Sequence, residues 1–89
     1  MVQKEITIIN KLGLHARAAS KFVSSTSSYT CQVKVHFNGR EVDGKSIMAV
    51  MMLAAGKGSL LTLTFDGDDE QTACDALSAL INNYFDEGE

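Results

Sequence analysis

Residues 31–43 carry the pattern that most limits how this chain can fold. Side chains in Cys31–Phe37 alternate strictly between apolar and polar types, which indicates a strand with one buried face. The dipeptide Asn38-Gly39 follows, and it tolerates the positive φ angles that a two-residue hairpin turn needs. We therefore expect Arg40–Asp43 to pair back on the first strand. The same alternation places His36 on the polar face, where we expect it to face solvent.

The segments on either side of this hairpin show two different periods. Val2–Asn10 alternates loosely and Ser59–Asp66 alternates clearly, so both are predicted strands. From Ala16 the apolar side chains recur at steps of three and four, which predicts a helix that fades into Ser24–Ser28. The acidic residues Asp68–Glu70 favour the start of a last helix, because carboxylates stabilise the positive end of the helix dipole. The predicted apolar stripe of that helix is Ala73, Ala76, Leu77, Leu80, Ile81 and Tyr84.

The run Ile47–Ala55 contains no polar residue, so a helix formed by it is apolar all round. Ser46 can cap this helix at its start, and Gly56 is expected to stop it. A short connecting helix is hard to bury completely in a small domain. We expect part of Ile47, Met48 and Met51 to reach the surface. A Met-rich helix that fills irregular core space is the alternative.

The resulting order, β-α-β-β-α-β-α, predicts an α+β domain with helices layered on one face of a mainly antiparallel sheet. The 89 residues, of which 45% are hydrophobic, suit one small core and leave no room for a second domain, so residues 1–89 are expected to form a single domain. The longest apolar run is far shorter than the ~20 residues of a membrane span, and the N-terminus lacks a secretion signal. We therefore expect a cytoplasmic protein.

The charges are unevenly distributed along the chain. All eight basic residues but only three of the eleven acidic ones precede Asp66, so the net charge is +5 before that residue and −8 from it onward. This asymmetry suits either a charged partner or a solvated acidic helix and tail. The basic residues are not interleaved with exposed aromatics, so no nucleic-acid partner is expected. Cys31 and Cys74 lack metal or redox spacing, and we expect buried free thiols with no metal or cofactor; a disulfide is the alternative if the fold brings the two together.

Gly13–Arg17 is the strongest candidate for chemistry, because it puts His15 where a loop enters a helix. The unpaired amides of a helix start favour an incoming phosphoryl group and a neutral imidazole. Arg17 can hold phosphate oxygens through several N–H donors. An ordinary helix-start histidine beside a surface arginine remains the alternative. Ser46 is likewise explained fully by capping, although a phosphate there would also lie at a helix start.

The motifs Gly13–Arg17 and Gly44–Met48 together identify the chain as similar to the HPr family, the histidine-containing phosphocarriers of the bacterial phosphoenolpyruvate-dependent phosphotransferase system (PTS). The resemblance covers essentially the whole chain. It implies an open-faced β-sandwich of four antiparallel strands and three helices. It also implies that the chain is a monomeric carrier rather than an enzyme with its own turnover.

The resemblance assigns roles to individual residues. It implies that His15 accepts a phosphoryl group on Nδ1 from enzyme I and passes it to a IIA domain, with Arg17 stabilising the phosphohistidine. It implies that Ser46 is phosphorylated by HPr kinase/phosphorylase, which hinders transfer to His15. The docking face for these partners is implied to comprise Leu14, Ile47, Met48 and Met51.

Ala18 departs from the family, which usually has proline directly after the arginine. Proline suits a first helical turn, so its replacement chiefly removes stiffness and restores a backbone N–H. We expect the chemistry to be intact, while sugar uptake and a nitrogen-related regulatory branch both remain open. Two other classes compete with the carrier: a phosphatase of the acylphosphatase kind, which would need an arginine in Asn10–Leu14, and a non-catalytic α+β domain.

Overall fold

Residues 1–86 are described by a computed structural model, and their elements follow the predicted order. The strands are all short, and the longest helix is the last one. The elements are β1 (Val2–Thr7), α1 (Ala16–Thr26), β2 (Gln32–Phe37), β3 (Arg40–Asp43), α2 (Ile47–Met52), β4 (Leu60–Asp66) and α3 (Glu70–Asn82), followed by a 3₁₀ turn at Tyr84–Asp86.

The four strands form one antiparallel sheet in the order β1-β4-β2-β3. The hairpin between β2 and β3 is as predicted, with φ of 53° at Asn38 and 80° at Gly39. His36 is exposed, as expected, and its Nε2 lies 2.9 Å from a carboxylate oxygen of Glu41 on the paired strand. The predicted α+β class with an antiparallel sheet is confirmed.

The core lies between the sheet and the three helices. In β4 the side chains of Leu61, Leu63 and Phe65 are buried, whereas the alternate side chains on the opposite face of the strand are not. Phe22 of α1 and Leu77 of α3 belong to the same buried cluster. The helices therefore cover one face of the sheet and leave the other open, which confirms the open-faced β-sandwich.

Helix α2 ends at Met52, four residues before the predicted stop at Gly56. Leu53 is the C-cap, and Ala54 adopts a left-handed conformation with φ of 54°, which ends the helix. The next carbonyl, that of Ala55, accepts a hydrogen bond from the Leu14 amide at 2.9 Å. Helix α2 ends early because the backbone at Ala55 is hydrogen-bonded to the loop that precedes α1.

The predicted stripe of α3 is correct at its centre and wrong at its end. Cys74 is buried on this helix, a position that the stripe did not include. After Asn82 the chain turns through consecutive left-handed residues at Tyr84–Asp86, so Phe85 is fully buried and Tyr84 is exposed. Lys21 of α1 fixes this turn by donating from Nζ to the Phe85 carbonyl at 2.6 Å.

The acidic start of α3 does more than stabilise its own helix. Asp69 is the N-cap residue but makes no side-chain cap bond; its carboxylate accepts from the amides of Thr30 at 2.8 Å and Cys31 at 2.9 Å. The hydrogen bond from Thr30 lowers the pKa of Asp69. Burial raises the pKa of the Cys31 thiol. Asp69 therefore ties the start of α3 to the segment that leads into β2.

Both cysteines are buried and free. Within residues 1–86, no helix combines the length and the apolar character that crossing a bilayer requires.

Candidate functional site

His15 is the N-cap residue of α1. Its backbone is extended, with φ of −72° and ψ of 178°, and its Nδ1 accepts a hydrogen bond from the Arg17 amide at 3.2 Å. A ring nitrogen that accepts a hydrogen bond presents its lone pair, so in the neutral imidazole the proton is on Nε2. The basic nitrogen Nδ1 is thus directed at the first turn of the helix, where backbone N–H groups have no carbonyl partner.

The loop before His15 is held rigidly by its own hydrogen bonds. Asn10 is fully buried and donates from Nδ2 to the Gly13 carbonyl at 2.8 Å, while the Gly13 amide donates to the Asn10 carbonyl at 3.2 Å. Gly13 has φ of 68°, and a Cβ there would lie 2.5 Å from the Ala55 carbonyl oxygen. Only glycine fits this contact, so the backbone fixes where the imidazole enters the helix.

Ala18 leaves the start of α1 unchanged. The helix begins at Ala16, as predicted, although the chain lacks the proline that the family usually has. Ala18 is fully buried and keeps its backbone N–H, which is one of the four amides at a helix start that need an external acceptor. The substitution therefore adds one potential donor to an anion at this helix start.

Ser46 is the N-cap residue of α2, as predicted, and its Oγ accepts from the Ala49 amide at 3.3 Å. The loop before it is tied to the C-terminal end of α1. Thr26 donates its hydroxyl to the Gly44 carbonyl at 2.8 Å, and Lys45 donates from Nζ to the Tyr29 carbonyl at 2.6 Å. Since α1 has 11 residues, its two ends are about 16 Å apart. The two capped helix starts therefore lie at opposite ends of α1.

Comparisons with known proteins agree on the relationship of this chain. The PTS-HPr family model, described as the PTS HPr component phosphorylation site, matches residues 2–83. The chain belongs to the HPr family. It is 62% identical to phosphocarrier protein HPr of Cupriavidus necator over 89 residues and all of both chains. It is 66% identical to that of Pseudomonas aeruginosa over 86 residues, 96% of each.

The fold also agrees closely with solved HPr structures. A crystal structure of HPr-C-His from Thermoanaerobacter tengcongensis superposes with a TM-score of 0.95 at 41% identity, over 98% of both chains. Membership of the HPr family removes the two competing classes, the acylphosphatase-like enzyme and the unrelated non-catalytic domain. No group of three or more histidine, cysteine or acidic side chains within residues 1–86 is placed to hold a metal ion.

The exposed apolar surface of this HPr-family chain differs in part from the expected docking face. Ile47 and Met48 are exposed, at 39% and 64%, and Met51 is only partly buried. Leu14 is 5% exposed and belongs to the core, because the bond from its amide to Ala55 draws it inward. Leu14 therefore presents little surface, and its part in partner binding stays a prediction.

Two further exposed apolar side chains were not singled out from the sequence, and one of them, Met52, belongs to this surface. Met52 is 61% exposed and lies one helical turn after Met48, so the four-residue spacing could have identified it. Leu12, in the loop before His15, is 68% exposed. With the buried Leu14 left out and Met52 added, the proposed docking face comprises Ile47, Met48, Met51 and Met52. Arg40 lies next to it and donates from its guanidinium to the Met52 carbonyl at 3.1 Å.

Proposed function

We propose that this chain is a phosphoryl carrier that accepts its phosphoryl group on Nδ1 of His15. The observation that supports this most strongly is the hydrogen bond from the Arg17 amide to Nδ1. It identifies Nδ1 as the unprotonated ring nitrogen, whose lone pair accepts from the Arg17 amide beside the other N–H groups of the first helical turn. Family membership supports the carrier role, and enzyme I is the proposed donor.

Transfer proceeds by attack of the Nδ1 lone pair on phosphorus. A bond forms between Nδ1 and phosphorus as the bond from phosphorus to the donor breaks, and the proton on Nε2 stays in place. The Arg17 amide loses its acceptor in the same step and becomes available to a phosphoryl oxygen. The Ala18 amide and the partial positive charge of the helix start add to this stabilisation, as does the Arg17 guanidinium.

The stored group then passes to a IIA domain by the reverse of this step. Attack by the acceptor breaks the bond between Nδ1 and phosphorus, and the Arg17 amide returns to Nδ1. At the end of each cycle His15 is unphosphorylated again, and the phosphoryl group has moved from enzyme I to the IIA domain. The chain therefore works as a carrier and has no turnover of its own.

Helix α2 is the proposed docking element for enzyme I and the IIA domains. It runs from Ser46, at the C-terminal end of α1, towards Ala55, which is bonded to the loop before His15. A partner that covers the docking face therefore reaches the histidine. The adaptable methionines of that face suit successive partners. Arg17 is exposed at the start of α1, near His15, and its positive charge suits acidic groups on these partners.

Phosphorylation of Ser46 is the proposed regulation, and it acts through docking. The phosphate would lie near the C-terminal end of α1, a helix about 16 Å long, and this length is twice the screening length of about 8 Å at physiological salt. Direct repulsion at His15 is therefore weak. The same charge adjoins Ile47 and Met48, where it would have to be desolvated as a partner binds.

Labelling with enzyme I and phosphoenolpyruvate tests the carrier role. Wild type should gain one phosphate that is lost in acid, and His15→Ala should gain none. His36→Ala is the matched control, because His36 is the other histidine and is exposed on β2. The proposal fails if His15→Ala is labelled as well as wild type.

A charge at position 46 tests the regulation. Ser46→Asp should slow transfer from enzyme I by about tenfold, because it places a carboxylate beside the docking face. Gln32→Glu is the control, since it adds the same charge at an exposed position on β2. Equal rates for Ser46→Asp and Gln32→Glu would count against Ser46 as a switch.

A further inference from the structure

A surface cleft separate from the His15 region lies at the end of β1, where two β-turns meet. It has a volume of about 700 Å³, within the range of about 300–1,000 Å³ that is usual for small-molecule sites. The residues that line it come from the end of β1, the loops at both turns and the C-terminal turn. None of them belongs to α1 or α2, so the cleft is distinct from His15 and from the docking face.

Each β-turn presents one lysine to the cleft. Lys11 follows Asn10 in the turn closed by the bond from the Gly13 amide to the Asn10 carbonyl. Lys57 lies in the turn closed by the bond from the Ser59 amide to the Gly56 carbonyl, at 3.1 Å. Both backbones are therefore fixed before any ligand binds, which lowers the entropic cost of using the two ammonium groups together.

Further hydrogen bonds hold the two turns against the protein. The Gly58 amide, next to Lys57, donates to the Ile8 carbonyl at 2.7 Å, and the Ile8 amide donates to the Ser59 carbonyl at 2.9 Å. The turn that carries Lys11 is fixed by the buried side chain of Asn10. The other Asn10 side-chain atom, Oδ1, is buried without a hydrogen-bond partner.

The charge and the walls of the cleft define the ligand that it suits. Its described lining holds two lysines and no carboxylate, although the whole chain has a net charge of −3. Two ammonium groups match the dianion that a phosphate monoester forms near neutral pH. Ile9 and the half-exposed ring of Tyr84 provide apolar surface beside these charges. Such walls suit a phosphate that carries an organic group more than they suit free phosphate.

We propose that this cleft binds a small organic phosphate monoester, with Lys11 and Lys57 holding the phosphate and Tyr84 packing against the organic part. This inference is independent of phosphoryl transfer by His15, because no residue of that site lines the cleft. The turn of Lys11 nevertheless continues directly into Gly13, which contacts the backbone of Ala55 and Gly56. A ligand bound in the cleft would therefore contact the loop that positions His15.

Titrations followed by amide chemical shifts test the proposal, with adenosine 5′-monophosphate as the probe. We expect saturable shifts at Lys11, Lys57, Gly58 and Tyr84, which weaken as salt is raised. Adenosine alone and inorganic phosphate alone separate the two parts of the ligand. Each should bind at least tenfold more weakly than the complete probe.

Substitutions at the two lysines identify the charged contacts. Lys11→Gln and Lys57→Gln should each weaken binding about three- to fivefold, and the double variant by about tenfold or more. Lys34→Gln is the matched control on β2 and should bind like wild type. His15→Ala should also bind like wild type, which separates failure of this proposal from failure of the carrier function.

Three outcomes would overturn the proposal. The first is the absence of saturable shifts at about 10 mM probe, an affinity too weak for a specific site. The second is equal binding of inorganic phosphate and the complete probe, or equal loss with Lys34→Gln, both of which indicate non-specific charge attraction. The third is perturbation of these amides by enzyme I alone and not by the probe, which would assign the cleft to protein docking.

Discussion

The starts of α1 and α2 are both capped by the side chain of the N-cap residue, but the two capping residues differ in chemistry. In each, the N-cap side chain accepts a backbone amide of the first turn, at 3.2 Å for His15 and 3.3 Å for Ser46. Serine is among the residues that cap helices best, and histidine is not. The cap of α2 is therefore explained by stability alone, whereas the cap of α1 places a ring nitrogen with a basic lone pair where a stronger capping residue would serve stability more.

The two helix starts also differ in what holds them. The loop before His15 depends on a glycine pressed against the backbone after α2, and the loop before Ser46 depends on a buried hydroxyl from the end of α1. The backbone after the C-terminal end of α2 therefore holds the loop before His15, and the C-terminal end of α1 holds the loop before Ser46. This arrangement keeps His15 and Ser46, the two proposed sites of phosphorylation, at opposite ends of α1 while α2 connects them.

The largest difference between the two loops should appear when the Gly13 contact is broken. Gly13→Ala should destabilise the protein by about 3 kcal/mol, because a Cβ would strain the left-handed backbone and meet the Ala55 carbonyl. Gly39→Ala is the control: its φ is also positive, but nothing lies within 4 Å, so about 1 kcal/mol is expected. Urea denaturation measures both. Equal losses would show that the contact with Ala55 does not fix the loop.

Removing the buried hydroxyl tests the other loop. Thr26→Val should cost about 1–3 kcal/mol, since it leaves the Gly44 carbonyl without its donor in a buried place. Hydrogen exchange should accelerate at Lys45 and Ser46 more than at Leu14. Thr62→Val, on the partly exposed face of β4, is the control and should change stability little. Equal acceleration at both loops would mean that they are not held separately.

Removing the caps themselves should give smaller and unequal effects. Ser46→Ala should cost about 1 kcal/mol, as expected for a serine N-cap. His15→Ala should cost less than about 0.5 kcal/mol, because the imidazole is a poor cap, even though we expect this variant to lose phosphorylation. Thermal denaturation of the two variants checks the order. A larger loss for His15→Ala would mean that the histidine is there for stability.

Asp69, at the third helix start, provides a test by pH. Its pKa is lowered in the folded protein, so its contribution to stability is present above the ordinary aspartate range near pH 4 and is lost as the pH falls below it. Asp69→Asn should melt a few degrees below wild type at pH 7, with the gap closing under acid conditions. Asp68→Asn, beside it, is the control. A gap that does not depend on pH would contradict the role given to the hydrogen bonds from Thr30 and Cys31.

The sequence predicted the regular elements well because their patterns are local. The hairpin at Asn38-Gly39 and the cap at Ser46 depend on neighbouring residues, and both are confirmed. The errors arose where distant segments meet. Leu14 is buried because its amide pairs with Ala55, some forty residues away. Phe85 replaces Tyr84 in the core because Lys21 holds the final turn. No local pattern encodes either contact.

The candidate site was located from the same local patterns, but its hydrogen bonds were not predicted. The motif at residues 13–17 indicated a histidine at a helix start, and the resemblance to the family implied Nδ1 as the accepting nitrogen. The structure adds that Nδ1 accepts a hydrogen bond from the Arg17 amide, which is consistent with the proposal. The cleft with Lys11 and Lys57 was invisible in the sequence, since the two lysines are 46 positions apart along the chain.

The proposed phosphoryl transfer requires Nδ1 of His15 to exchange its hydrogen bond from the Arg17 amide for a bond to phosphorus. Nuclear magnetic resonance of the ¹⁵N-labelled phosphoprotein tests this most directly, because it identifies the ring nitrogen bonded to phosphorus and follows the Arg17 and Ala18 amides. We predict phosphorus on Nδ1, with the proton retained on Nε2 and both amide resonances displaced. Phosphorus on Nε2, or on any other residue, with these amides unmoved would contradict the account.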